Sequence, residues 1–198
     1  MPTQLSRRAP VRRASTPRAL LPALLIVFAS GLCALPAAAD SGVSLGLTVG
    51  VGGSPDGDEF SGLGFQLSAS WEWRLNTLAQ LRVGGLDLDL DRDNGGTLQP
   101  AEMTFISLAT EYRHNADFYD AGVIIGVGFY RLESDSAFGS SGFLAGEDES
   151  SIGLHAGVSG HFDLTDTWSV PVEILVHYAD FDQAQLFITA QAGIAYSF

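Results

Sequence analysis

The sequence predicts an all-β fold, an eight-stranded antiparallel up-and-down transmembrane β-barrel, and three observations carry that prediction. Apolar residues recur at every second position through most of the chain after residue 39, the period of a strand whose two faces meet different environments. No apolar run in that part is long enough for a helix to cross a bilayer. The connections between the alternating segments are by turns tight and long, as in a barrel whose strands run up and down.

Residues 1–39 read as a cleaved signal peptide, leaving 40–198 as the barrel. Arg7, Arg8, Arg12, Arg13 and Arg18 form a basic start, residues 19–35 are apolar, and Ala37-Ala38-Ala39 before Asp40 is a small-residue cleavage site. Removing this segment takes away five of the ten basic residues and the single cysteine, Cys33, and leaves all 23 acidic ones, so the remainder carries 5 − 23 = −18. Such a charge excludes a nucleic-acid partner. The missing cysteine excludes a disulfide framework and a thiol nucleophile.

The alternating segments follow in order. The first places Val43, Leu45, Leu47, Val49 and Val51 on one face, the second Leu63, Phe65, Leu67, Ala69, Trp71 and Trp73, and the third Ala79, Leu81 and Val83. At Gly84-Gly85 the phase shifts and Leu86, Leu88 and Leu90 continue on the other parity, which reads as a bulge. The fourth carries Ile106, Leu108, Thr110 and Tyr112, and the fifth runs from Tyr119 through Ile125 to Phe129. The sixth carries Ile152, Leu154, Ala156, Val158 and Phe162, and the seventh alternates from Trp168 to Tyr178. In the eighth, residues 186–198, Leu186, Ile188, Ala190, Ala192, Ile194, Tyr196 and Phe198 share one face.

Tight turns are predicted at 74–76, 114–116 and 163–166, and longer loops at 52–59, 91–102, 132–150 and 179–184. This alternation puts both termini at the short-turn end. Trp71, Trp73, Tyr112, Tyr119, Phe162, Trp168, Tyr196 and Phe198 gather at that end on the apolar parity, as an interfacial aromatic girdle. The terminal Phe198, two residues after another aromatic, resembles the closing strand of bacterial outer-membrane barrels. That resemblance implies residence in the outer membrane among lipid and lipopolysaccharide, and recognition by the barrel-assembly machinery through Phe198. As pattern and topology, residues 42–198 are similar to the small eight-stranded outer-membrane barrels that include the membrane domain of outer membrane protein A and its short relatives.

With the apolar stripes facing lipid, the complementary parity fills the lumen. Gln66, Gln80, Ser107, Tyr130, His155, Ser159, His161, His177, Gln185 and Gln191 fall there, and Glu72, Arg82, Glu111, Arg113, Asp120 and Glu173 form a predicted ion-pair network. An eight-stranded barrel is only wide enough to be filled by its own side chains, and buried charges must be paired.

No catalytic constellation emerges. The small-barrel relatives include lipid A deacylases, whose serine–histidine–carboxylate chemistry works on the lipid face. His155, His161 and His177 are on the inward parity and none has a serine two residues on, so no enzyme is expected. The segment 91–102 resembles a calcium loop, with Asp91, Asp93 and Glu102 at the carboxylate positions, Gly96 at the sharp turn and Thr97 offering its carbonyl, although Gly95 supplies no oxygen side chain and the flanks read as strands. Weak calcium binding is the one cofactor expectation. The predicted role is that of a monomeric outer-membrane barrel without a wide pore, a structural or surface-interaction platform with acidic outer loops. A narrow channel for small solutes is the alternative, and a lipid A-modifying hydrolase a more distant one.

Overall fold

The computed structural model describes residues 42–55, 62–91, 98–115, 119–134, 137–139, 142–144, 146, 148–182 and 184–198. These residues form ten strands: β1 (Val43–Gly53), β2 (Gly62–Arg74), β3 (Thr77–Asp91), β4 (Leu98–Asn115), β5 (Asp120–Ser134), β6 (Ala137–Gly139), β7 (Gly142–Leu144), β8 (Asp148–Asp163), β9 (Trp168–Ala179) and β10 (Leu186–Ser197). Eight of them close a barrel in the order β1-β10-β9-β8-β5-β4-β3-β2, and β6 and β7 form a separate hairpin. All barrel pairs are antiparallel.

The registers fix the barrel's dimensions. Stepping across the ladder from Val43 leads through Trp71, Ala79, Thr110, Ile125, Ala156, Val176 and Ile188 back to β1 at Gly53. The stagger is therefore 53 − 43 = 10 residues. Ten residues at about 3.3 Å each, against eight spacings of about 4.7 Å, incline the strands by roughly 40° and give a backbone radius of about 8 Å.

Closure is made between the first and last strands. Phe198 donates its N–H to the carbonyl of Val43 at 3.0 Å, and Ser197 donates to Thr167. The β2–β3 and β8–β9 turns at this end are tight. Asn76 adopts φ 59°, a left-handed conformation that asparagine tolerates, and its carbonyl accepts the N–H of Arg113. In the β8–β9 turn, Thr165 Oγ1 accepts from the N–H groups of Thr167 and Trp168.

The outward residues form an apolar belt. Leu63, Ile125 and Ile152 are 68%, 65% and 75% exposed, so they face what lies outside the barrel. On β2 the stripe spans Leu63 to Trp73, which at this tilt covers roughly 25 Å of height, a bilayer's hydrocarbon. Exposed Trp71, Trp73, Tyr112, Tyr119, Phe162 and Trp168, with Tyr196 and Phe198, edge it at the turn end. Trp168, Tyr196 and Phe198 stack edge to face with centroids 4.9 and 4.8 Å apart.

Four strands rise above this belt. The β3–β4 ladder continues to Asp91↔Leu98 and the β5–β8 ladder to Glu133↔Asp148, whereas β2 pairs with β3 only as far as Leu86 and β9 with β8 only as far as Gly153. In this raised wall the polarity of the two faces inverts. Inward Leu86, Leu88, Met103, Phe105 and Leu132 are buried, while outward Asp87, Asp89, Thr104, Arg131, Glu133 and Asp148 are exposed.

The wall corrects three sequence expectations. The β2–β3 register runs unbroken past Gly84-Gly85, its only shift lying between Glu72 and Arg74, so no bulge is present there. Leu86 and Leu88 face inward like Arg82. Within 91–102, Asp91 ends β3 and residues 98–102 belong to β4, and 132–150 holds the ends of β5 and β8 together with the β6–β7 hairpin. Once the chain leaves the bilayer, water takes the place of lipid outside, and the apolar parity must turn inward.

Candidate functional site: the barrel lumen

The lumen is filled in layers from the turn end to the loop end. Glu111 on β4 organises the first. It is fully buried, and its Oε1 accepts from Ser159 Oγ at 2.5 Å and lies 3.0 Å from His161 Nε2, while Oε2 accepts from Gln80 Nε2 at 2.5 Å and Arg113 Nη2 at 3.1 Å. Gly122 makes room for it, since a Cβ there would sit 2.5 Å from Glu111 Oε1.

The second layer is Arg82 on β3, 1% exposed. It donates two parallel hydrogen bonds to Glu173 on β9, Nη1 to Oε2 at 2.8 Å and Nη2 to Oε1 at 3.1 Å. Its Nε donates to Gln80 Oε1 and its Nη1 to Gln66 Oε1, and Gln66 Nε2 donates back to Glu173. Gln80 therefore joins the two carboxylate centres into one chain of bonds. A guanidinium and a carboxylate taken out of water cost several kcal/mol each unless such a bidentate, fully bonded geometry repays it.

The third layer separates the polar lumen from the apolar one. Tyr130 Oη lies 3.2 Å from Nδ1 of both His155 and His177. A hydroxyl has one proton, so one imidazole must accept and the other donate. The assignment that leaves no donor unpaired lets His177 accept at Nδ1 and donate Nε2–H to Thr189 Oγ1 at 3.4 Å. His155 then donates through Nδ1, and its buried, partnerless Nε2 is the unprotonated nitrogen.

Above this layer the lumen is sealed by apolar side chains. Phe105 stacks on Tyr130 with centroids 5.6 Å apart, and Phe181 from the β9–β10 connection meets Phe187 at 6.1 Å. Phe181 is 2% exposed, and the next residue ties its N–H to Glu149 Oε2 at 2.7 Å. The sequence reading singled out neither Phe105 nor Phe187; continuing the inward parity through Leu86, Leu88 and Met103 is the signal that reveals the seal. Phe181 lies outside any strand and leaves no such signal.

Of the predicted network, Arg82, Glu111, Arg113 and Glu173 are brought together. Glu72 and Asp120 are not: both lie apart from it, bordering a cavity at the turn end with Arg113. Gln185 is exposed and binds Asp180 rather than entering the lumen. His155, His161 and His177 are all buried on the inner side.

Most of the segment expected to hold calcium, residues 92–97, lies outside the described residues. Asp93 and Thr97 lie outside the described residues. Asp91 pairs with Leu98 and Glu102 with Asp87, so the backbones carrying the first and last carboxylates stand four residues apart along the ladder, roughly 13 Å. Among the described residues no three His, Cys, Asp or Glu side chains are placed to hold a metal ion.

No protein-family model matches the chain, and no curated protein matches it in sequence. Solved structures do. Neisserial surface protein A is 13% identical with a TM-score of 0.59, covering 79% of this chain and 96% of its own. A major outer membrane protein from Thermus thermophilus is 16% identical with a TM-score of 0.56, covering 79% and 99%. The chain thus has the fold of the small outer-membrane β-barrels, and its apolar belt fits that setting.

Proposed function

We propose that this outer-membrane barrel is a closed, monomeric platform that carries an acidic wall at the cell surface, and that it is neither a pore nor an enzyme. The observation that supports this reading most directly is the lumen, crossed first by the Arg82–Glu173 bridge and then by the Phe105–Phe181–Phe187 seal. A solute would have to break both layers to pass. With the short turns in the periplasm, the raised strands stand outside the cell, and Asp87, Glu102, Glu133 and Asp148 face outward just above the belt. Lipopolysaccharide head groups lie at that height and are the partner assigned to the wall, with divalent ions such as calcium screening the facing negative charges. In planar-bilayer recordings the refolded protein is expected to show no steady conductance; a stable open level would overturn the closed-platform reading.

Recognition by the barrel-assembly machinery is assigned to the terminal strand, whose last residue both edges the girdle and closes the seam. Deleting Phe198 is expected to lower the amount of heat-modifiable, folded protein in the outer membrane far more than deleting residues 137–144. Equal losses in a fractionation and gel-shift assay would remove the assignment.

A further inference from the structure

The ladder between β9 and β10 has a gap across which the two strands keep step. Ala192 pairs with Val172 and Ala195 with Ser169, three residues on along each strand, but the ladder skips Pro171 and Val170 between them. Both strands are whole on their other sides: Pro171 and Val170 pair with His161 and Phe162 of β8, and Gly193 and Ile194 with Thr48 and Leu47 of β1. The missing contacts thus belong to a single seam. Near the end of β10, Ser197 donates its N–H to Thr167, just before β9, and Phe198 donates to Val43 of β1. In an antiparallel strand the N–H and C=O of one residue point the same way and those of the next the opposite way, so Gly193 and Ala195 address β9 while Ala192 and Ile194 address β1. The carbonyl of Gly193 therefore faces the nitrogen of Pro171, which has no hydrogen to give.

A bare carbonyl is costly in a sheet that crosses lipid. On the lumen side, Pro171, Ser169, Ala195 and Ser197 border a cavity of about 30 Å³, room for about one water. It shares Ser44, Arg113 and Ser197 with the cavity of about 230 Å³ at the turn end. Polar space therefore reaches the gap from within, and Gly193, on the inward parity, puts no side chain in its way. On the outer side Ile194 and Val172, 45% and 40% exposed, face the lipid. We propose that β9 and β10 part here, between Ser169 and Val172, as a side gate: lumen water takes the place of the missing N–H at Gly193, and the opening joins the polar cavities to the bilayer near the girdle. Parting β10 from β9 at this point gives up fewer ladder bonds than parting it from β1, to which it is joined by ten successive pairs. The terminal strand stays on β1, while the Trp168–Tyr196 ring contact at 4.9 Å clasps the seam on the turn side of the gap. Pro171 lies nearer the turn end of β9 than Glu173, so the gate gives no route past the Arg82–Glu173 bridge.

The test is residue-resolved amide exchange by NMR on the protein refolded in micelles. Gly193 and Ala195 should exchange at least about tenfold faster than Ala192 and Ile194 of the same strand, the factor that one net backbone hydrogen bond represents; a strand end that merely frays would loosen both sets alike. Pro171→Ala supplies the missing donor without adding bulk to the lumen. In folded variant, judged by an unchanged heat-modifiable shift, Gly193 and Ala195 should come within about twofold of Ala192 and Ile194. The proposal is overturned if Gly193 and Ala195 of the parent are as slow as Ala192 and Ile194, a comparison that needs no variant, or if folded Pro171→Ala leaves the difference unchanged.

Discussion

The two halves of the barrel obey opposite rules on one continuous backbone. Along β4, the residues facing outward change from Tyr112, Thr110, Leu108 and Ile106 to Thr104 and Glu102, while those facing inward change from Arg113, Glu111 and Ser107 to Phe105 and Met103. The strand does not slip its register where this happens. What changes is the medium outside. In lipid the outer face must be apolar and the filled lumen can hold polar groups that satisfy one another; above the lipid the same cylinder becomes a water-soluble barrel with an apolar core. Polarity parity therefore reports the solvent at each height, and it cannot by itself report the strand's course.

Two equally costly substitutions separate the halves. Arg82→Ala strands Glu173 in a buried site, and breaking such a pair costs about 3–5 kcal/mol; Phe105→Ala opens a hole in the upper seal at a similar cost of about 3–5 kcal/mol. Urea unfolding followed by tryptophan fluorescence should show both losses. Amide exchange should then tell them apart, with Arg82→Ala loosening strands around mid-height and Phe105→Ala loosening only the ends of β3, β4, β5 and β8. Uniform loosening by Phe105→Ala would mean that the two halves fold as one cooperative unit. Adding Glu173→Leu to Arg82→Ala should recover part of the loss, because no orphan charge remains.

A smaller effect comes from placing one charge outside at two heights. Ile125→Arg puts a guanidinium near the middle of the bilayer and is expected to cost about 2–4 kcal/mol, while Thr104→Arg on the wall should fall within about 0.5 kcal/mol of the parent. Equal penalties in refolding into liposomes would place Thr104 within the lipid and erase the boundary drawn here.

Much of this architecture was legible in the residues. The lipid-facing stripes, the aromatic girdle and the tight turns at 74–76 and 163–166 follow from period-two patterning inside one medium, and the structure has them where the pattern puts them; the turn expected at 114–116 lies partly outside the described residues. The end of β3 was misread for a physical reason: the apolar parity was followed as though lipid continued, so Leu86 and Leu88 looked like a phase shift at Gly84-Gly85. The same assumption turned the upper parts of β4, β5 and β8 into loops. In the lumen, parity names who points inward and is silent on who meets whom. Gln80 became a link between Glu111 and Arg82 only because the stagger brings β3, β4 and β9 side chains to successive heights, and Asp120, inward like the rest, was left outside the network by that stagger. The cavity it borders is a product of three-dimensional placement that no spacing in the sequence encodes.

The seam between the chain's first and last strands has its own consequence. Ser44 pairs with Ser197, so the contact that turns a curled sheet into a tube joins residues 197 − 44 = 153 positions apart, and the last bond of that seam is made by the final residue's own N–H. Closing so long a loop costs more entropy than pairing any two strands that follow one another in the barrel. The seam thus works as the clasp of a belt: each other ladder joins strands that follow one another within the barrel, and this one alone joins the first to the last and fixes the circumference.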